Sequence, residues 1–542
     1  MGFASLSLPY NVAERRQVIN PKAVPCDEGA IRSIAAAAPC TISTKSWVLV
    51  ATILASTIAY VDESVVNIAL PAIERDLAAS AAVVQWLVNG YTLCLAALLL
   101  IGGSAADHFG RRKMFIVGVS IFAAASLCCG LSPNVAILIL ARAAQGFGAA
   151  LLIPCSLALI GASFDEAERG RAIGTWAGVS AIAAAVGPIL GGWIVDHFSW
   201  RWIFLINPLL ALPAIWIAVE HVPESVDPHA TGRLDWRGGF FALTGLAGVC
   251  FGLIAAPELG WADARALAPL LCGVVLLGIF LWVERHSAAP MLPLELFRSR
   301  TFSAVNLLTL LLYAALAAAF FFLPFALIQV HGYTALLAGV AFLPFTIIMA
   351  LLSRWSGGLV DRLGARLPLV VGPAITALAL GLLATIVPNG GYWAFLAALS
   401  VLGLGMTISV APLTTTVMNA VPTDKMGVAS AINNAVAALA SLLAVAIFGA
   451  VALGLYDRAL DRALAQNPGS VELTQAVIAA RGKFAAASLG TANEAGIQAQ
   501  ARSIITTSLS QSIEDIMWLA AALALAAAAS GTLLPRARSG SP

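Results

Sequence analysis

Three ionisable residues stand inside otherwise apolar stretches of the chain. Asp62 and Glu63 lie in AYVDESVVNIALP, and Arg142 lies in LILARAAQGFGAA. A charge at the centre of a bilayer costs at least about 2.5–3.5 kcal/mol, so such residues need a use or a partner. A buried carboxyl can carry a proton. A neighbouring guanidinium favours its ionised form and burial favours its neutral form, so a motion that changes their separation changes proton affinity. Asp62 and Arg142 are therefore candidates for a proton-coupling pair; the competing reading is a static ion pair that fastens two helices. Glu63 points about 100° away from Asp62 on a helix and could meet a cationic ligand or take a second proton. Asn67, one turn further on, shares that face. Gln145, Asn306, Gln329, Asn433 and Asn434 are further polar candidates for a cavity. Each could equally make an interhelical hydrogen bond worth about 1 kcal/mol.

Other chemistries have no footing in the sequence. The six histidines fall in predicted loops, which argues against a histidine proton relay. The eight cysteines form no CxxC pair and sit mostly in apolar runs, where cysteine acts as a small hydrophobe. No GxxxxGK[ST] phosphate loop occurs, so direct ATP drive is unsupported. No catalytic constellation, metal site or cofactor is implied.

The elements that must hold these residues are unusually apolar. Hydrophobic residues make up 60% of 542, and charged residues only 11%, against about 25% charged in ordinary soluble domains. The apolar residues come in runs of about 20, the length a helix needs to cross a hydrocarbon core of about 30 Å. Fourteen such runs lie near 46–70, 83–103, 114–132, 135–161, 172–195, 201–219, 238–256, 266–284, 303–328, 336–356, 368–387, 392–412, 428–455 and 513–533. The alternation expected of a spanning β-barrel is absent. The fold class is an all-α polytopic membrane protein.

Lys and Arg set the orientation. With the amino terminus inside, the inner connections hold Arg111, Arg112, Lys113, Arg169, Arg171, Arg285, Arg298, Arg300, Arg362 and Arg366, among others. The short outer connections hold only Arg75, Arg201 and Arg265. This bias places both termini in the cytoplasm. Helix rise then puts Asp62 roughly 24 Å into the first span and Arg142 roughly 10 Å below the outer face of the fourth, at similar depth. They can pair if those spans are neighbours.

The sequence also repeats itself. GGSAADHFGRRK after the second span carries Gly103, Asp107, Gly110, Arg111 and Arg112; GGLVDRLGAR after the tenth carries Asp361, Arg362 and Arg366. Both fit Gly-x-x-x-Asp-(basic)-x-Gly-x-Arg, the mark of two related halves with a ligand site between them. The organisation that follows is a cytoplasmic tail at 1–45, a six-helix bundle at 46–220, and a linker with two inserted helices at 221–301. A second six-helix bundle follows at 302–534, with a long outer loop at 456–512, and then a cytoplasmic tail at 535–542. The outer loop, with weakly amphipathic stretches in YDRALDRALAQ and VELTQAVIAARGKF, is read as a surface helical loop, with a docking surface for a periplasmic adaptor protein or a lid over an exit as the sharper alternatives.

With VDESVVNIALP, LARAAQGFGAA, GPILGG and WRWIFLINP in the same order, these motifs resemble those of the major facilitator superfamily. Within it, they are similar to the fourteen-helix drug:proton antiporters. The resemblance implies two six-helix bundles plus an inserted pair, acting as a monomeric transport unit in the cell membrane. It implies export of a small lipophilic substrate in exchange for protons. It gives Arg142 a coupling role and places Asp62 at a motif position. It makes Gly187, Pro188, Gly191 and Gly192 the antiporter motif, and His108 stands where the family often has arginine. Asp107 can meet a helix N-terminus or an arginine, so Gly103, Asp107, Gly110, Arg111 and Arg112, with Asp361, Arg362 and Arg366 in the second half, are read as a cytoplasmic latch, the alternative being a charge cluster that only sets topology. From the residues alone, the Gly174/Gly178 and Gly187/Gly191 spacings each admit a close helix neighbour, and Pro188 removes a backbone donor. The alternatives are a metabolite or siderophore transporter of the same fold, or a membrane sensor that moves nothing.

Overall fold

A computed structural model describes residues 42–226, 234–287, 290–422, 425–466, 471–484 and 495–535. The terminal tails thus lie largely outside the described residues. Among the described residues, fourteen helices are long and apolar enough to cross a membrane. They are α1 (Thr44–Asp76), α2 (Ala81–Phe109), α3 (Arg111–Gly130), α4 (Val135–Ser163), α5 (Glu168–His197), α6 (Trp202–His221) and α7 (Trp236–Leu259). Then come α8 (Ala264–His286), α9 (Arg300–Val330), α10 (Ala335–Ser353), α11 (Arg366–Ile386), α12 (Tyr392–Asn419), α13 (Met426–Gln466) and α14 (Gly496–Gly531). All the described secondary structure is helical or turn. His108, His197, His221 and His286, expected in loops, occupy last turns of helices, where a cation is favoured by the helix dipole.

Helices α1–α6 pack among themselves, as do α9–α14, while α7 and α8 pair with each other. The inserted pair is not detached: α7 lies against both α2 and α13 and so covers a groove between the bundles. Chain direction defines a near side, where α1 begins, and a far side, where it ends. The bundles meet in the far half. There a β-carbon on Gly192 of α5 would overlap the backbone of Ala335 and Leu336, and one on Gly339 of α10 would overlap that of Pro188. Toward the near side they part at α5, where Gly170, Gly174 and Gly178 have nothing within 4 Å of a β-carbon position. Of the two glycine pairs on this helix, only Gly187/Gly191 receives a neighbour, α1 at Ser64 and Val65. The open near side is why Gly174/Gly178 does not.

The described parts of the segment read as a surface helical loop at 456–512 are mostly helix, but they are not confined to the surface. Helix α13 runs on to Gln466 and α14 starts at Gly496. A short helix, Val471–Ile478, lies between. Hydropathy marks where a helix leaves the apolar layer, not where it ends, and YDRALDRALAQ keeps good helix formers after that point. Leu473, Val477, Ala480 and Phe484 are buried in the main core. Phe484 packs edge-on to both Phe322 and Phe325, each at 5.6 Å between ring centres. Its N–H donates to Glu74 at 2.8 Å, and the Ala81 N–H donates to the Gly482 carbonyl at 2.7 Å. This segment ties the far end of the first bundle to the second.

Candidate functional site

Helix α1 is apolar enough to be enclosed by its neighbours, so its one inward acid must find partners from them. Asp62 is 1% exposed and Arg142 2%. Arg142 Nη1 donates to Asp62 Oδ2 at 2.5 Å. Asp62 Oδ1 accepts from Gln145 Nε2 at 3.1 Å and from Asn207 Nδ2 at 2.8 Å. Four helices thus converge on one carboxylate: α1, α4 (twice) and α6, with α2 joining through Arg142 Nε, which donates to the Leu87 carbonyl at 3.1 Å. The guanidinium also lies 4.5 Å from the ring centre of Tyr91 and 5.8 Å from that of Phe204, within cation–π range. Behind it, Asn207 donates to Ser126 Oγ at 2.9 Å, and Cys129 donates to Gln145 Oε1 at 3.3 Å.

The pair anticipated from helix rise is therefore formed, and its shell is larger than the sequence suggested. Gln145, a cavity candidate whose other reading was an interhelical hydrogen bond, is wholly enclosed and makes that bond, to Asp62; its i, i+3 spacing from Arg142 puts both on one face of α4. Asn207 was missed. Its signal was its place in WRWIFLINP, an amide in a run otherwise free of buried polar groups.

Glu63 is exposed although most of α1 is buried. Tyr60, one turn before it, lies within electrostatic range of both Glu63 and Tyr313 of α9, across the boundary between the bundles. Asn67 is half-buried and Asn434 exposed. Asn306 and Asn433 are not open to a cavity. Asn433 Nδ2 donates to Thr309 Oγ1 at 2.7 Å and to Asn306 Oδ1 at 3.2 Å, joining α13 to α9. Gln329 sits in a π-helical turn, Ala326–Val330, at the wall of a far-side cavity of about 870 Å³ that Arg75, Asp196 and Arg502 also line.

At the near side, Asp107 accepts from Arg111 Nε and Nη2 at 3.1 and 3.0 Å. The first turn of α3 is capped by a residue the sequence reading passed over. Glu224 accepts from the Arg112 N–H at 2.9 Å and the Lys113 N–H at 3.1 Å, while Arg112 Nη1 donates to the Val222 carbonyl at 3.2 Å. Gly110, with φ 102°, leaves room for that carboxylate where a β-carbon would not. Gly364 holds the matching place in the second half with φ 74°. Gly103 makes only an ordinary contact with Pro154; its neighbour Gly102 takes the close approach to Ala150. Arg362 is exposed and Arg366 half-buried, and the side chain of Asp361 lies outside the described residues. Lys45 bonds Asp165 at 2.7 Å and Glu168 at 2.8 Å, and the ammonium holds the Asp165 carboxyl below the usual range. The contacts of Asp107, Arg112 and Glu224 stay within the first half, because the near side is open.

At the far side, Asp196 at the end of α5 accepts from the Ala335 and Leu336 N–H groups at 3.0 and 2.7 Å. It caps α10 across the bundle boundary, satisfying backbone donors that a helix start leaves free.

Two helical bundles closed at one face and parted at the other, the first of them enclosing a buried acid–base pair, define a membrane transporter. The profile of the family described as Major Facilitator Superfamily matches residues 52–445. The chain belongs to that superfamily, among its multidrug efflux members. It is 35% identical over 410 residues to the multidrug resistance protein Stp of Mycobacterium tuberculosis (strain ATCC 25618 / H37Rv), covering 75% of this chain and 76% of that one. It is 34% identical to the tetracenomycin C resistance and export protein of Streptomyces glaucescens, covering 72% of each. It is 35% identical to the puromycin resistance protein pur8 of Streptomyces alboniger, covering 75% of this chain and 82% of that one. Among solved structures, a bacterial homologue of the human lysosomal transporter Spinster, inward-facing and unoccupied, matches with TM-score 0.63 at 16% identity over 91% of this chain and 98% of that one. The inward-open xylose transporter XylE from E. coli matches with TM-score 0.57 at 14% identity over 92% and 97%. At these identities the likeness is one of fold.

Proposed function

We propose that the chain is a proton-coupled antiporter that exports small lipophilic compounds across the cell membrane by alternating access. In this reading the near side faces the cytoplasm, following the excess of Lys and Arg there, and the state described is inward-facing. The observation that carries it is the enclosed carboxylate of Asp62, shared by Arg142, Gln145 and Asn207. A proton arriving at Asp62 cancels its attraction to Arg142 and turns an acceptor into a donor. The Gln145 and Asn207 amides then face one acceptor fewer, and the packing of α1 against α4 and α6 loosens. That is how protonation would bias which side the bundles open toward. One proton crossing the membrane gains about 2.3 kcal/mol per 100 mV, enough to move such an equilibrium.

Export, rather than uptake, is favoured by GPILGG and by relatives named for antibiotic resistance and export. Glu63, exposed between the bundles beside Tyr60, is the group best placed to meet a substrate entering from the near side. The test is exchange in proteoliposomes with an imposed pH gradient. Wild type should move a lipophilic substrate against proton flow, and Asp62→Asn should bind substrate without coupling to the gradient. Undiminished gradient-driven export by Asp62→Asn would leave the pair a static fastener and defeat the proposal.

A further inference from the structure

Two amide side chains lie in the far-side seam between the bundles with nothing to bond. Gln85 and Asn89, one turn apart on α2, are both 0% exposed. Among the described residues, neither amide has a hydrogen-bond partner for its nitrogen or its oxygen. Gln85 presses against Gly449 of α13, where any β-carbon would collide with it. The surrounding seam is apolar: Leu93 and Ala97 of α2 cluster with Leu442 and Ala446 of α13 and with Leu246 of α7. By helix rise the two amides lie roughly 6 and 12 Å below the far end of α2.

A buried amide without a partner carries a desolvation cost that a leucine of similar size does not. Structural packing would favour leucine here, and a helix that keeps glycine opposite Gln85 gives up contact area to house a group that bonds nothing. The cost vanishes only when water reaches the amides, that is, when α2 and α13 separate on the far side. Asp196 capping α10, and Glu74 holding Phe484, act in the opposite sense by fastening the same face.

We infer that Gln85 and Asn89 set the balance between the two openings. Unpaired in the closed seam and hydrated in the parted one, they hold the far-side closure near its point of release. The inference rests on the alternating-access reading above and adds the residues that tune it.

The test uses the full chain in lipid nanodiscs, with native cysteines replaced and a reporter cysteine at Ala446, in the seam. Its alkylation rate by a water-soluble maleimide follows the fraction of molecules with the seam parted. Gln85→Leu/Asn89→Leu should slow alkylation at least tenfold, equivalent to about 1.4 kcal/mol. It should also raise thermal stability and cut turnover by a similar factor. The exchanged variant Gln85→Asn/Asn89→Gln, which keeps two amides in the seam, should retain the wild-type rate. Unchanged or faster alkylation in the leucine variant, or a fall in its thermal stability, would overturn the inference. The alkylation readout needs neither substrate nor gradient. If it responds as stated while proton-coupled flux is absent, the function reading fails and the seam assignment stands.

Discussion

Replacing Asp62 by asparagine is the perturbation that most directly tests the site, and its cost can be worked from the hydrogen bonds. Asp62 presents two acceptor oxygens to three donors: Oδ2 to Arg142, and Oδ1 to Gln145 and Asn207. Asparagine presents one acceptor and one NH2 group. If its oxygen turns to Arg142, two amide donors face another donor; if it turns to the amides, the guanidinium faces an NH2. Either way Arg142 stays buried, held by the Leu87 carbonyl and Gln145 Oε1, with no carboxylate in contact and only Glu63 within electrostatic range. Removing one member of a buried pair costs about 3–5 kcal/mol, a large part of the roughly 5–15 kcal/mol that stabilises a folded domain. A second change, Arg142→Gln, removes the stranded charge and should recover much of that loss, giving a coupling energy in a double-mutant cycle well above that of distant sites. The assay is reversible denaturation in detergent micelles, read by the fluorescence of a tryptophan in the first bundle such as Trp200, alongside gradient-driven flux in proteoliposomes. A stable Asp62→Asn with full coupling, or a double variant no more stable than the single one, would refute the reasoning.

Three further outcomes follow from the geometry. Gly192→Leu inserts a side chain where even a β-carbon overlaps the backbone of α10, so far-side closure should fail and a cysteine placed at Ala72, on the wall of the far-side cavity, should label faster than in wild type. Glu74→Ala removes the acceptor of the Phe484 N–H, so limited trypsin digestion at Arg481 and Lys483 should accelerate without loss of the α1–α6 core fragments. Glu224→Ala leaves two backbone donors at the start of α3 uncapped, a loss of about 1 kcal/mol. It should lower the melting temperature modestly, and Glu224→Gln should restore part of it.

Much of the architecture was legible because the bilayer leaves few options. A span must close its own backbone hydrogen bonds and be apolar for about 20 residues, so span number follows from runs of residue type. Asp62, Glu63 and Arg142 stood out for the same reason: charge is conspicuous in lipid. Buried amides were harder to sort. Gln145, Asn306 and Asn433 look alike in sequence, yet one serves Asp62 and the other two bond each other across α9 and α13. Which partner an amide finds depends on helix rotation, which hydropathy does not encode. Glu224 carried no signal, because a cap formed across 112 positions has none.

By itself, then, the sequence determined the spans, the repeat, and the acid and base that share one depth, since each depends only on residue type and helical rise. The tertiary structure alone decided that Asn207 joins that pair, that Gly192 and Asp196 close the far side while Gly174 and Gly178 stand open, and that Gln85 and Asn89 go unbonded. Those facts depend on which helix faces which, and in what state. That is fixed by packing between elements far apart in the chain, which residue type and helical rise do not encode.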